Sequence, residues 1–158
     1  MPNNLIGVVV HSDYVDVVLL QQVGPKSFAL QDETTLKLQT GDRPPAYHIL
    51  HSQFQDYVKQ HRAKYVCVKQ SALSRGAMKM VHLKAAELRG IIQCGAAAAG
   101  AEVCLFNKAS VSRTSGAAGG RKVDEYLKDN SYWSSIGLSS LPKGMREAAF
   151  VVVEEFLS

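Results

Sequence analysis

Apolar positions come first as short runs and later at helical spacing. Leu5-Ile-Gly-Val-Val-Val10 is an unbroken apolar run and reads as a buried strand. His11-Ser-Asp13 is a turn. Tyr14 to Gln21 is rich in β-branched residues and predicts a second strand, hairpinned to the first. Gly24-Pro25 breaks it. Ser27 to Leu30 and Thr34 to Leu38 alternate apolar and polar around Asp32-Glu33, and read as one bent strand or two short ones. After Gly41-Asp-Arg-Pro-Pro45 the period changes. Proline is tolerated in a first helical turn, so a helix starts near Pro45, with Tyr47, Leu50, Phe54, Tyr57 and Val58 on one face.

Tyr65-Val-Cys-Val68 predicts a fourth strand, and Gln70 to Gly76 a polar loop. A long helix follows from about Met78 to Ala99, with Leu83, Ala86, Gly90, Ile91, Cys94 and Ala98 near one stripe. Its small residues, Gly90 and Gly95 to Ala99, allow close approach to a neighbour. Glu102 to Phe106 is a fifth strand, Asn107 to Arg113 a short helix, Ser115 to Gly120 a flexible loop and Arg121 to Lys128 another short helix. Pro142 to Phe156 closes the chain as a helix with Met145, Ala149, Val152 and Phe156 inward. Short connections make the opening meander antiparallel; helical crossovers make the later strands parallel. The expected fold class is α/β, with a five-stranded mixed sheet flanked by helices.

The 158 residues make one ordinary domain, with no repeat or linker. No apolar run approaches the roughly 20 residues of a membrane helix, and Met1-Pro-Asn-Asn4 has no basic stretch of a secretory leader. Cys67, Cys94 and Cys104 are odd in number and set in apolar stretches, which fits reduced, buried thiols in the cytoplasm better than disulfides or a zinc site. The net charge of +4 is modest, but its distribution is uneven. Tyr57 to Ala86 and Val103 to Val123 contain no acid, while they hold Lys69, Arg75, Lys79, Lys108, Arg113, Arg121 and Lys122 among other cations.

The element order, and the local pattern Leu88-Arg-Gly90, then small residues, then Ala101 to Arg113 and the loop Gly116-Ala-Ala-Gly-Gly-Arg-Lys122, resemble the ribonuclease H-like superfamily and its RuvC family. Lys143-Gly144 and the Glu147-Ala-x-Phe pattern are similar to a short bacterial family of that fold. The resemblance implies two-metal hydrolysis of phosphodiesters, in which carboxylates hold paired Mg²⁺ ions and one ion activates water. It also implies a homodimer. Carried over residue by residue, the first-strand acid falls on Val9, or on Val8 with a slipped register. The fourth-strand acid falls between Lys69 and Ser71, centred on Gln70, and the final-helix pair falls on Gly144 and Glu147. Only Glu147 is acidic. Asp13 and Asp16 are the nearby acids that could rescue the site.

The resemblance therefore implies a degenerate nuclease site. No catalytic residue is expected beyond the remnant Glu147, and no metal or cofactor, Mg²⁺ entering only if a displaced nuclease site survives. Lys69, Arg75, Lys79, Lys108, Arg113, Arg121 and Lys122 become candidates for contacting nucleic acid, because their segments meet at the carboxyl end of the sheet, where open α/β sheets bind ligands. Each has a plainer reading: the lysines as a solvated face, Gly116 to Lys122 as a loop and not a P-loop, Glu147 as an ion-pair partner of Lys69 or solvent-facing. His48 and His51 lack a third ligand, and Ser71, Ser74 and Ser112 lack His/Asp partners. Tyr132 and Trp133 either stack on a base or pack over the last helix. Three functions remain open: a non-catalytic module binding nucleic acid or a protein partner, a nuclease with a displaced site, and a structural homodimeric subunit.

Overall fold

The computed structural model describes residues 2–70, 76–107 and 123–157. Strands β1 (Asn4–Val10), β2 (Tyr14–Gly24), β3 (Ser27–Lys37), β4 (Tyr65–Lys69) and β5 (Glu102–Phe106) form one sheet in the order β3-β2-β1-β4-β5. β1 pairs antiparallel with β2 and parallel with β4, so the apolar run at the N-terminus becomes the central strand. β3 is a single strand of 11 residues. Its partner shifts from Leu19↔Asp32 to Leu20↔Leu30, leaving Gln31 as the extra residue of a bulge, which supplies the bend.

Helices α1 (Arg43–Gln60) and α2 (Met80–Ala98) cover one face. Pro44 and Pro45 occupy the first turn of α1, which buries Ala46, Leu50, Phe54 and Val58. In α2 the buried stripe is Leu88, Ile92, Gly95 and Ala96, rotated away from the expected Leu83–Ala98 stripe. α2 has apolar residues on several sides, with His82, Lys84, Glu87, Arg89 and Gln93 scattered among them, so periodicity alone could not choose its inner side. Gly95 chose it: a Cβ there would lie 3.3 Å from the His51 carbonyl oxygen and 3.4 Å from Phe54, whereas at Gly90 it would meet nothing within 4 Å. Leu83 is consequently 45% exposed. Cys94 lies on the same outer side and is exposed, so only Cys67 of the three thiols is fully buried. Among the described residues no helix is long and apolar enough to cross a membrane.

The opposite face carries α3 (Val123–Lys128), α4 (Asn130–Ser135) and α5 (Arg146–Phe156), the last preceded by a 3₁₀ turn at Lys143–Met145. A single helix from Pro142 was expected; the tighter turn sets off the first residues. α5 is inward over a wider arc than expected, burying Arg146 and every residue from Ala148 to Val153. The reason is its position over the centre of the sheet. Gly7 of β1 touches the α5 backbone so closely that a Cβ would stand 2.0 Å from the Ala148 carbonyl oxygen. Trp133 is fully buried and its indole N–H donates to the Tyr126 carbonyl at 2.9 Å. Its ring and those of Tyr126 and Tyr132 pack around Phe150. That settles Trp133 as core and removes it as a base-stacking surface. Arg146 ties the small helices to α5, donating to the Leu127 carbonyl at 2.9 Å and to Asn130 Oδ1 at 2.7 Å. The expected short helix from Asn107 and the glycine-rich loop fall, apart from Asn107, outside the described residues.

Candidate functional site

The sheet register defines a row of side chains on the α5 face at the carboxyl end of the parallel strands. Residues paired across strands share a face. Asp16 pairs with Thr35 on one side and with Val9 on the other. Lys69 follows the pair Val8↔Val68 and so lies beside Val9, and it pairs in turn with Phe106. The row thus reads Thr35, Asp16, Val9, Lys69, Phe106. Val9, Cys67 and Phe106 belong to the same core cluster as α5, which places all five positions on that helix's side of the sheet.

α5 brings Glu147 down onto this row. The Gly7–Ala148 contact anchors the helix one residue further on, and Glu147 forms an ion pair with Lys69 Nζ. The two side chains are 30% and 37% exposed. An ion pair so open to water is worth roughly 0–1 kcal/mol. At the other end of the row Asp16 accepts from Thr35 Oγ1 at 2.8 Å and contacts His11 Nε2 at 3.2 Å. The His11 ring stacks on Tyr14 with centroids 4.1 Å apart. Val9, 5% exposed, is the apolar floor between the two polar ends.

These positions can be set against the sequence expectations one by one. Val9 faces α5, as an acid at that position would. Gln70 lies just past β4, exposed, its N–H bonded to the Phe106 carbonyl at 2.7 Å. It is Lys69, by strand alternation from Cys67, that faces Glu147. Gly144 sits in the 3₁₀ turn with open space around it. Asp13 caps the hairpin through its carbonyl, which accepts from the Leu38 N–H at 2.8 Å. Lys79 precedes α2, its N–H bonded to His82 Nδ1 at 3.2 Å, at the same end of the sheet but on the other face. Arg75, Lys108, Arg113, Arg121 and Lys122 lie outside the described residues, as do Ser71, Ser74 and Ser112. His48 is exposed on α1.

The place of Asp16 escaped the sequence reading, although the signal was present. A hairpin whose loop is Ser12-Asp13 sets His11 opposite Tyr14, pairing Val10 with Val15 and therefore Val9 with Asp16. Even so, the described residues of the row do not gather the carboxylates that a pair of Mg²⁺ ions needs. Such ions need several carboxylate oxygens around one point, yet Glu147 is held by Lys69, Asp16 by His11 and Thr35, and Val9 offers no donor. Among the described residues no three His, Cys, Asp or Glu side chains are placed to hold a metal ion. A thiol nucleophile is equally unsupported. Burial, together with Cys104 and Glu155 nearby, pushes the Cys67 thiol far above its ordinary range, leaving it protonated.

The sheet order, its antiparallel-then-parallel directions and the helix over β1 define the ribonuclease H-like fold in the form seen in RuvC resolvases. No protein-family model matches the chain, and no curated protein matches it in sequence. Solved structures do. The RuvC structure from Thermus thermophilus superposes with a TM-score of 0.75 at 15% identity, covering 97% of this chain and 93% of that one. T. thermophilus RuvC in complex with its Holliday junction substrate gives 0.70 at 13% identity, covering 98% and 93%. The yeast mitochondrial Holliday junction resolvase gives 0.61 at 10% identity, covering 96% of this chain and 76% of that one. At such identities the likeness is one of fold.

Proposed function

We propose that this protein is a RuvC-like module that binds nucleic acid at the carboxyl end of its sheet and does not cleave it. The observation that carries the reading is the Lys69–Glu147 ion pair. Where the fold's resemblance implies carboxylates gathered around metal, this chain sets an ammonium against its one remaining acid, with Val9 beside them. The cations of the acid-free stretches Tyr57 to Ala86 and Val103 to Val123 supply phosphate contacts, which dominate affinity for nucleic acids and carry no sequence information. The solved RuvC complex with a Holliday junction supports a branched DNA as first ligand to try. Electrophoretic mobility shifts against duplex, single-stranded and four-way DNA test the binding. Incubation of the same substrates with Mg²⁺ or Mn²⁺ tests the chemistry. Metal-dependent cleavage that disappears in Glu147→Gln would replace this reading with a nuclease using Asp16 and Glu147.

A second reading concerns assembly. The outer side of α2 is apolar and small, with Met80, Val81 and Leu83 exposed and open space at Gly90. We propose that a second copy of the chain covers it, making a cytoplasmic homodimer. Light scattering checks this directly, with Leu83→Glu returning the protein to a monomer.

A further inference from the structure

We infer that Lys69 is a phosphate-binding group held in reserve by Glu147: a phosphodiester oxygen takes the place of the Glu147 carboxylate on Lys69 Nζ, so that the site grips a nucleic-acid backbone with its own cation and no metal. This rests on the nucleic-acid reading above and goes further, since it names the group that binds and the group that opposes binding.

Four features of the row lead there. The Lys69–Glu147 pair is open to water on both partners, so an anion can reach the ammonium, and the pair is too weak to resist exchange. Gly144, three residues before Glu147, adds no side chain that could cover the pair. The neighbour toward β2 is Val9, which brings no charge of its own. The next acid along the row, Asp16, is two strand spacings from Lys69, about 10 Å, and is already engaged by Thr35 and His11. Among the residues of the row, Lys69 therefore faces Glu147 as its competing anion. While paired, the two charges cancel for an approaching phosphate; with the carboxylate gone, a full positive charge is exposed. The consequence has an unusual sign. In a metal site, removing a carboxylate weakens the hold on phosphate. Here it strengthens it.

The test is fluorescence anisotropy with a labelled four-way DNA junction in EDTA. Glu147→Gln should bind roughly threefold to tenfold tighter than the unaltered protein, with a salt dependence steeper by about one ion. Lys69→Gln, which leaves Glu147 uncompensated, should bind weaker by a similar factor, the double variant should fall between Lys69→Gln and the unaltered protein, and Lys69→Arg should retain binding because the charge, not the packing, is what counts. Replacing NaCl by MgCl₂ at equal ionic strength should leave the order of the variants unchanged. If the unaltered protein binds the junction but Glu147→Gln binds it equally or more weakly, the exchange is wrong and the nucleic-acid reading stands. If the unaltered protein binds no duplex, single strand or junction even at low salt, both fall together. Circular dichroism of each variant confirms that the comparison is made between folded proteins.

Discussion

On the α1/α2 face, the strands stay apolar to their last residues: Val8 and Val10 of β1, Val15 and Val17 of β2 and Val68 of β4 all sit in one aliphatic cluster. On the α5 face the same strands are apolar through Leu5, Val18 and Cys67, then end on Asp16, Val9 and Lys69. One face is closed by two helices and is packing throughout. The other is closed over its centre by α5 and by an aromatic group at its side, and leaves its carboxyl end for polar side chains. The lesson lies in the two-residue repeat of a strand. A single strand can devote one face wholly to stability and the last position of the other to chemistry, because successive residues point to opposite faces of the sheet.

Substitutions should expose this division. The largest effect is expected at Gly7. Gly7→Ala puts a methyl group 2.0 Å from the Ala148 carbonyl, and the backbone of α5 must move to accept it. A loss of roughly 4 kcal/mol or more follows, read as a collapse of the urea midpoint. Phe150→Ala removes the ring at the centre of the aromatic group on the same face and should cost about 3–5 kcal/mol, with loss of the near-ultraviolet dichroism those rings generate. The other face offers the opposite sign. Gly90→Ala adds a methyl group into open space on the outer side of α2 and should stabilise the monomer by about 0.5–1 kcal/mol in thermal melts. If Gly90→Ala instead weakens a dimer measured by light scattering, that open space is filled in the assembly.

The smallest effect is a pH dependence. Burial raises the Glu154 carboxyl above its ordinary range. The folded state thus holds this proton more tightly than the unfolded chain, so Glu154 favours folding at low pH and loses that contribution as pH climbs through the folded-state value. At neutral pH Glu154→Gln should be more stable than the unaltered protein, by no more than a few tenths of a kcal/mol after solvent screening. The gain should vanish in acid, which paired melts at pH 4 and pH 7 would show.

Much of the fold was legible because the signals were local. Six apolar residues from Leu5 to Val10 make a central strand almost whatever follows, and the period change after Pro45 could only mean a helix. The order of elements then left few topologies. What escaped was set by contacts distant in sequence. The inner side of α2 depends on Gly95 meeting α1 at His51 and Phe54, and a helix with small and apolar residues on several sides does not reveal which glycine will be used. Trp133 could equally have served a base or a core until Tyr126 was seen to accept its N–H. The site itself was half visible. The absence of acids at Val9 and Lys69 needed only the sequence, which also offered Lys69 as one of two settings for Glu147; choosing it needed the position of α5 against Gly7. Asp16 beside Val9 follows from counting across one hairpin.

The burial of Trp133 has a practical consequence. It is the chain's single tryptophan, and it lies wholly inside the core on the α5 face, packed on Phe150. Its emission is therefore a built-in gauge of one face alone. A ligand seated on the row should leave the spectrum where it is, while any event that lifts α5 from β1 should shift it to longer wavelength, so that occupancy and unfolding report through different channels of the same sample.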